Sequence, residues 1–341
     1  MTTTGRTTLA EIAREANVAV STVSKVLNGH PDVAVPTRLR IEQLLARRGY
    51  RRTPAPRRTP RRTALIDLVL DEPDSAWGLA VLSGVGLVAG ESGLGLIVST
   101  REGTGTLLPR GSEGAILALS ALGEHQRADL ERRSIPFVLV GAVSPAAPSI
   151  GATDFTGGYT ATEHLVALGH HRIGLITGPR HHPCARARTA GYHAALDAAG
   201  LPADPDLVIP ARAHHEDGLA AALTLLSLPT PPTAIFAADD HQAAGAYEAG
   251  RRTGRTIPHD LSITGFGDLP FARWLAPALT TVRYPLHEMG LAAARTLLRL
   301  VDNDPLESPH IELATTLVTR ASTTRFPVPR TPETATKALP Y

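Results

Sequence analysis

Between Thr8 and Asn28 the chain reads TLAEIAREANVAVSTVSKVLN, and its apolar positions keep a helical period twice over. Leu9, Ile12, Ala13 and Ala16 recur three and four apart, so they share one face of a helix. Thr8 and Glu11 have the T-x-x-E spacing of a capping box, in which hydroxyl and carboxylate satisfy the first free backbone N–H groups. Asn17 ends this helix, because asparagine tolerates the left-handed conformation of a helix stop. A second helix is predicted from Val20 to about Leu27, with Val23, Val26 and Leu27 inward. Its outward face then carries Val20, Ser21, Thr22, Ser24, Lys25 and Asn28. Short hydrogen-bonding groups, a methyl-rich side chain and a cation suit the base edges of a DNA major groove. A third helix is predicted over Val35–Arg48, with Pro36 in the first turn and Leu39, Ile41, Leu44 and Leu45 buried.

From Ala64 onward, apolar runs of strand length alternate with helical patterns. Strands are predicted at Ala64–Leu70, Leu94–Ser99, Ala115–Leu119, Phe137–Val140, Arg172–Thr177, Ala234–Ala237, Ser262–Gly265 and Thr280–Arg283. Helices are predicted near Trp77–Ala89, Glu124–Arg133, Thr156–Leu168, Ala185–Ala199, Glu216–Leu228, Gln242–Thr253 and Leu286–Val301. Such alternation implies parallel sheets covered on both faces, here as two lobes with a cleft at the strand ends.

Composition changes the picture at the junction. Residues 51–63, RRTPAPRRTPRRT, join prolines to like charges and oppose a packed core. Residues 1–63 hold 13 Lys/Arg against 4 Asp/Glu, while the remainder holds 21 against 28. A basic head on an acidic body points to a polyanionic partner for the head alone. One cysteine, Cys184, leaves no intrachain disulfide framework and supports no zinc site. The N-terminus has no apolar signal-peptide core, and no run reaches the roughly 20 apolar residues of a membrane helix. A cytoplasmic protein with no membrane partner is therefore expected.

Enzymatic chemistry finds little support. Gly84-Val85-Gly86-Leu87-Val88-Ala89 fits a G-x-G-x-x-A fingerprint, but it lies inside a predicted helix instead of directly after a strand. Neither Lys25 nor Lys337 completes a P-loop. His170/His171, His181/His182 and His214/His215 are adjacent pairs, not the i, i+4 pairs that converge on a metal from one helix face. No nucleophile elbow or carboxylate pair stands out, so no enzyme activity, cofactor or metal is expected.

Larger blocks carry a resemblance. AxVSTVSKVLNG followed by TRxRIEQLLxRRGY (Thr37 to Tyr50) resembles the DNA-binding headpiece of the lactose-repressor (LacI/GalR) family. IGATDFTGGYTATEHLVALGHHRIGLITGP, SITGFGDLPFARWLAPALTTVRYP and ELATTLVTRAST resemble that family's body, so the likeness spans nearly the whole chain. It implies a helix-turn-helix headpiece (1–50), a hinge or linker (51–63), and a two-lobed α/β body like a periplasmic binding protein (64–325). The body binds effector and dimerises, with lobe one about 64–154 plus 283–307 and lobe two about 155–282 plus 308–325. A flexible tail (326–341) follows. Ala19 and Ala34 stand where the family usually has a capping serine. Thr59 replaces the leucine that the family's hinge helix wedges into the minor groove, and the stretch between Ser99 and Gly114 is too short for the family's helix there.

The resemblance also assigns roles. Val20, Ser21 and Lys25 read bases, and Thr22, Ser24 and Asn28 contact base edges or phosphates. Apart from the resemblance, the charge of the linker gives Arg51 and Arg52 phosphate contacts and lays Arg57 and Arg58 along a narrow A·T-rich minor groove. In the cleft, Trp77 stacks on a sugar face, Asp154 and Phe155 stand at the lobe crossover, and Arg188 reaches ligand hydroxyls from an R-x-x-G motif. Asp239 faces the ligand while Asp240 caps a helix; Gly267 lacks the family's carboxylate, and Trp274 closes the cleft or plugs the lobe. The expected protein is a transcriptional regulator, a repressor bound to operator DNA as a homodimer and controlled by a small-molecule effector, a sugar. The alternative is a transport-type sugar-binding protein without gene regulation.

Overall fold

The computed structural model describes residues 9–27, 33–48, 65–71, 75–100, 112–118, 122–141 and 147–326. They belong to two compact units, residues 1–62 and 63–341. The Thr8 cap, Asn28, the 51–63 linker with Arg51, Arg52, Arg57, Arg58 and Thr59, the shortened stretch 101–111 and the tail from residue 327 lie outside the described residues.

The first unit holds α1 (Leu9–Glu15), α2 (Val20–Leu27) and α3 (Val35–Arg47). Ile12, Ala13, Ala16, Val23, Val26, Val33 and Ile41 form its core, with Val18, Leu44 and Leu45 against it. Asn17 adopts φ 51°, and the Val18 N–H donates to Ala13 O at 3.0 Å, closing α1 as an asparagine stop should. Arg48 pairs with Glu15 at 2.8 Å, joining the chain just after α3 to the end of α1. Leu39 departs from expectation, being 53% exposed. It stands two residues, about 200°, from buried Ile41 and so occupies the opposite face of α3.

The second unit begins with β1 (Leu65–Leu70), α4 (Ala76–Glu91), β2 (Gly95–Thr100), β3 (Ala115–Ala118), α5 (Glu124–Arg132), β4 (Phe137–Gly141) and β5 (Ser149–Ala152). It crosses into α6 (Asp154–Ala167), β6 (Ile173–Thr177), α7 (Pro183–Ala198), β7 (Val208–Pro210), α8 (His215–Leu226), β8 (Ala234–Ala237), α9 (Asp240–Arg252), β9 (Ser262–Gly267) and β10 (Thr280–Arg283). It returns through α10 (Leu286–Val301) and β11 (His310–Leu313), then ends at β12 (Thr316–Val318). One sheet has the order β11-β5-β4-β3-β1-β2 and the other β12-β10-β9-β8-β6-β7. Every pair is parallel except β10 with β12.

Three features refine the sequence reading. The closing block ELATTLVTRAST is two strands, and the third crossover falls between Leu313 and Thr316, not near residue 308, because β11 pairs with β5 in the first sheet. The tail begins one residue later than expected: the Phe326 N–H donates to Leu168 O at 2.9 Å and its ring lies 5.5 Å from that of His170. The Gly-x-Gly motif is a helix-packing device. A Cβ on Gly84 would stand 2.1 Å from His287 O, so glycine there lets α4 and α10 touch backbone to backbone.

Candidate functional site

Two regions collect the candidate residues, one in each unit. In the first, α2 presents Val20, 46% exposed, with Lys25 exposed and Thr22 half-exposed, while Val23 and Val26 are buried. Ser21 and Ser24 lie within the same helix.

In the second, a cleft of about 860 Å³ opens at the carboxyl ends of the strands of both sheets. Lobe one contributes Leu70 at the end of β1, Asp71 just after it, Trp77 on α4, Ala118, and Val140 with Gly141 at the end of β4. Lobe two contributes Gly178, Pro179, the stretch His181 to Ala185, Arg188, Arg212, Asp239, His241, Gln242 and Phe266. The fold explains the placement, since loops after parallel strands all emerge on one side. Ser75 caps α4 by accepting from the Gly78 N–H at 3.0 Å, which fixes the turn bearing Trp77. The indole reaches across to Gly141, whose φ of +115° ends β4.

Arg188 is held from several sides in the cleft. Its Nε donates to Asp154 Oδ1 at 2.7 Å and its Nη1 to Ala238 O at 2.7 Å. Its guanidinium lies 3.8 Å from the Phe266 ring centroid and 5.0 Å from that of Tyr284. The Tyr284 hydroxyl donates to Asp154 Oδ2 at 3.3 Å. Burial is the largest single influence on the guanidinium pKa and lowers it, but Asp154, Tyr284 and Cys184 together more than offset it, so the cation stays charged. Burial pushes the neighbouring Cys184 thiol up to about 12, with the Asp154 charge adding to it, so the thiol stays protonated. The R-x-x-G spacing has a steric cause. A Cβ on Gly191 would meet Phe155 O at 2.2 Å, so only glycine lets α7 approach α6 closely enough for Arg188 to reach Asp154.

The three crossovers meet around this cluster. Asp154 and Tyr284 stand at the first and second. At the third, the Thr315 N–H donates to Thr153 Oγ1 at 2.9 Å, and the two hydroxyls lie 3.0 Å apart.

Four sequence assignments change. Asp239, not Asp240, caps α9: its Oδ1 accepts from the His241 N–H at 2.7 Å, while it also lines the cleft. Asp240 is fully buried and holds the next loop, accepting from the Leu269 N–H at 2.8 Å and the Thr281 hydroxyl at 2.6 Å. Phe155 is 47% exposed and lines a smaller neighbouring pocket, not the main cleft. Trp274 is 74% exposed and absent from the cleft lining, so it does not plug the lobe. Asp268 turns away into ion pairs with Arg283 at 2.8 Å and with Arg320. Asp71, His181, His182, Arg212, Gln242 and Tyr284 went unassigned in the sequence; their positions just after strands are the signal that marks them.

Residues 8–53 match the family described as bacterial regulatory proteins, lacI family, and residues 162–323 match the periplasmic binding protein-like domain. The HTH-type transcriptional regulator MalR of Streptomyces coelicolor is 36% identical over 343 residues, covering 94% of this chain and 98% of its own. The chain belongs to the lacI family. Among solved structures, the transcriptional regulator CelR in its cellobiose complex superposes with a TM-score of 0.72 at 28% identity, over 93% of this chain and all of its own. The Lac repressor dimer bound to operator matches at 0.70 and 26%, over 94% of this chain and all of its own. This LacI-family regulator thus shares both its units with DNA-binding repressors. Among its described residues, no helix is long and apolar enough to cross a membrane.

Proposed function

We propose that the chain is a transcriptional repressor whose operator affinity is set by a sugar bound between the two lobes. The observation that carries the reading is Arg188: one cleft-lining guanidinium is bonded to the carboxylate at the first crossover, and that carboxylate is bonded to Tyr284 at the second. A ligand that hydrogen-bonds this arginine therefore acts on the joints that set lobe closure. A planar fork suits vicinal hydroxyls, and Trp77 supplies an apolar face for a ring. Relatives that carry sugars in this architecture, such as the CelR–cellobiose complex, support the same reading. Trp77, Arg188 and Asp239 contact the effector, and Asp154 orients Arg188. On DNA, Val20, Ser21 and Lys25 read bases, while Thr22, Ser24, Asn28 and the arginines at 51, 52, 57 and 58 contact base edges or the backbone.

The operator-bound form is a homodimer. Helix α4 has no charged residue before Glu91 and leaves Leu79 53% and Leu87 50% exposed, and Val98 on the adjoining β2 edge is 43% exposed. An apolar stripe of this kind is suited to burial against the same surface of a second copy.

Selection from a random duplex pool tests the DNA half: a near-palindromic site should emerge, and Lys25→Ala should relax its sequence preference by about 1–3 kcal/mol per lost base contact. A transport-type protein would select nothing. Calorimetry with saccharides tests the effector half, where Trp77→Ala should weaken binding at least tenfold, about 1.4 kcal/mol, without unfolding the chain.

A further inference from the structure

We infer that the effector is an oligosaccharide of at least two rings, with Asp71 and Arg212 placed to read the second ring. The inference rests on the sugar reading above and names the size of the ligand.

Two groups of polar positions in the cleft stand apart, with His181 and His182, which follow β6, between them in lobe two. The first lies on the hinge side. Trp77 reaches the end of β4 at Gly141, and the Cys184 thiol approaches Gly141 O at 3.5 Å. Arg188, anchored on Ala238 O at the end of β8, faces the same region. The second set lies farther out. In lobe one the strand order β4-β3-β1 puts Asp71, which follows β1, two strand intervals from Gly141. In lobe two the order β8-β6-β7 puts Arg212, which follows β7, two intervals from Ala238. At about 4.8 Å per interval, each lobe presents its outer polar position roughly 10 Å from its inner one.

Arg212 is held there by the fold. Gln242, almost fully buried, donates through Nε2 to Ala211 O at 3.1 Å and Arg212 O at 3.2 Å, fixing the backbone of that loop. Asp217 accepts from Arg212 Nε at 2.8 Å and Nη2 at 3.3 Å, yet the side chain remains 71% exposed at the cleft. One ring stacked on Trp77 with hydroxyls at Arg188 fills only the inner set. A second ring, joined through one glycosidic oxygen, extends along the strand ends to the outer set. The cleft volume of about 860 Å³ leaves room for it.

The test is calorimetry and thermal shift on the full chain. The probes are pentose and hexose monosaccharides set against their α- and β-linked dimers and trimers. At least one dimer or trimer should bind about tenfold or more tightly than its monosaccharide. Arg212→Ala should erase most of that preference while leaving monosaccharide affinity unchanged, and Asp71→Asn provides a second variant with an isosteric side chain. A monosaccharide that binds as tightly as its dimers, or a preference untouched by both variants, overturns the two-ring inference and leaves the sugar reading standing. If no saccharide binds or shifts the melting temperature, the sugar reading falls and the inference with it.

Discussion

Asp239 and Asp240 are adjacent, chemically identical and differently used. The first is half-buried at the start of α9 and lies beside His241 Nδ1 at 3.1 Å; the second has no exposed surface. Burial raises the Asp240 pKa from 3.8 to about 7, the charges of Asp239 and Asp268 push the same way, and the Thr281 and Leu269 hydrogen bonds oppose them. A carboxyl that holds its proton more tightly folded than unfolded contributes stability below pH 3.8 and loses it as pH rises through about 7. Half-buried His164 and buried His170 have lowered pKa values, both through burial, and act in the opposite sense, losing stability as pH falls below 6.5. The difference between wild type and Asp240→Asn isolates the carboxyl. Denaturant titrations should show the variant gaining relative stability from pH 4 to pH 7, with a constant difference above. The block AADDHQAAG showed that two acids stand at a strand end. It could not show which one faces inward, because that depends on the loop at Leu269, 29 residues downstream. Trp274 as a plug of the lobe fails for a related reason: an aromatic in this loop reads as core until the 3₁₀ turn at Pro270–Arg273 is seen to leave it facing solvent.

Among the elements, α2 and α3 each begin after an alanine. The Ala19 carbonyl accepts from the Thr22 N–H at 2.9 Å and the Ala34 carbonyl from the Arg38 N–H at 3.0 Å, but neither methyl can satisfy a free N–H. Ala19→Ser and Ala34→Ser should each stabilise the headpiece by about 0.5–2 kcal/mol, read as a rise in the melting temperature of its helical signal. The long periodic helices were legible in the sequence because each buries a continuous face. The strands β5 and β7 were not, having four and three residues beside prolines, too short to show alternation. The break between β11 and β12 was equally hidden, since it follows from which sheet each strand pairs with.

For the whole molecule, the sequence already implied two lobes and a cleft, while partner surfaces emerged only with the fold. Leu79 and Leu87 read as one more apolar stretch in the chain; in three dimensions they form a stripe on α4 that nothing in the described unit covers. Leu87→Glu should shift the dimer toward monomer by at least about 100-fold in Kd, some 2.7 kcal/mol, measured by sedimentation equilibrium. Operator affinity should fall with it, because two half-sites are read together.

The placement of β11 also orders events during synthesis. Lobe one opens with β1 at residue 65 but gains its edge strand only at residues 310–313, and α10, which packs on α4, arrives shortly before. A nascent chain therefore carries a finished headpiece for most of its translation while the sensing half still lacks its last strands. A message broken after α10 would yield a DNA-reading unit with an incomplete sensor, so the intact carboxyl-terminal segment is what places the regulator under the control of its signal.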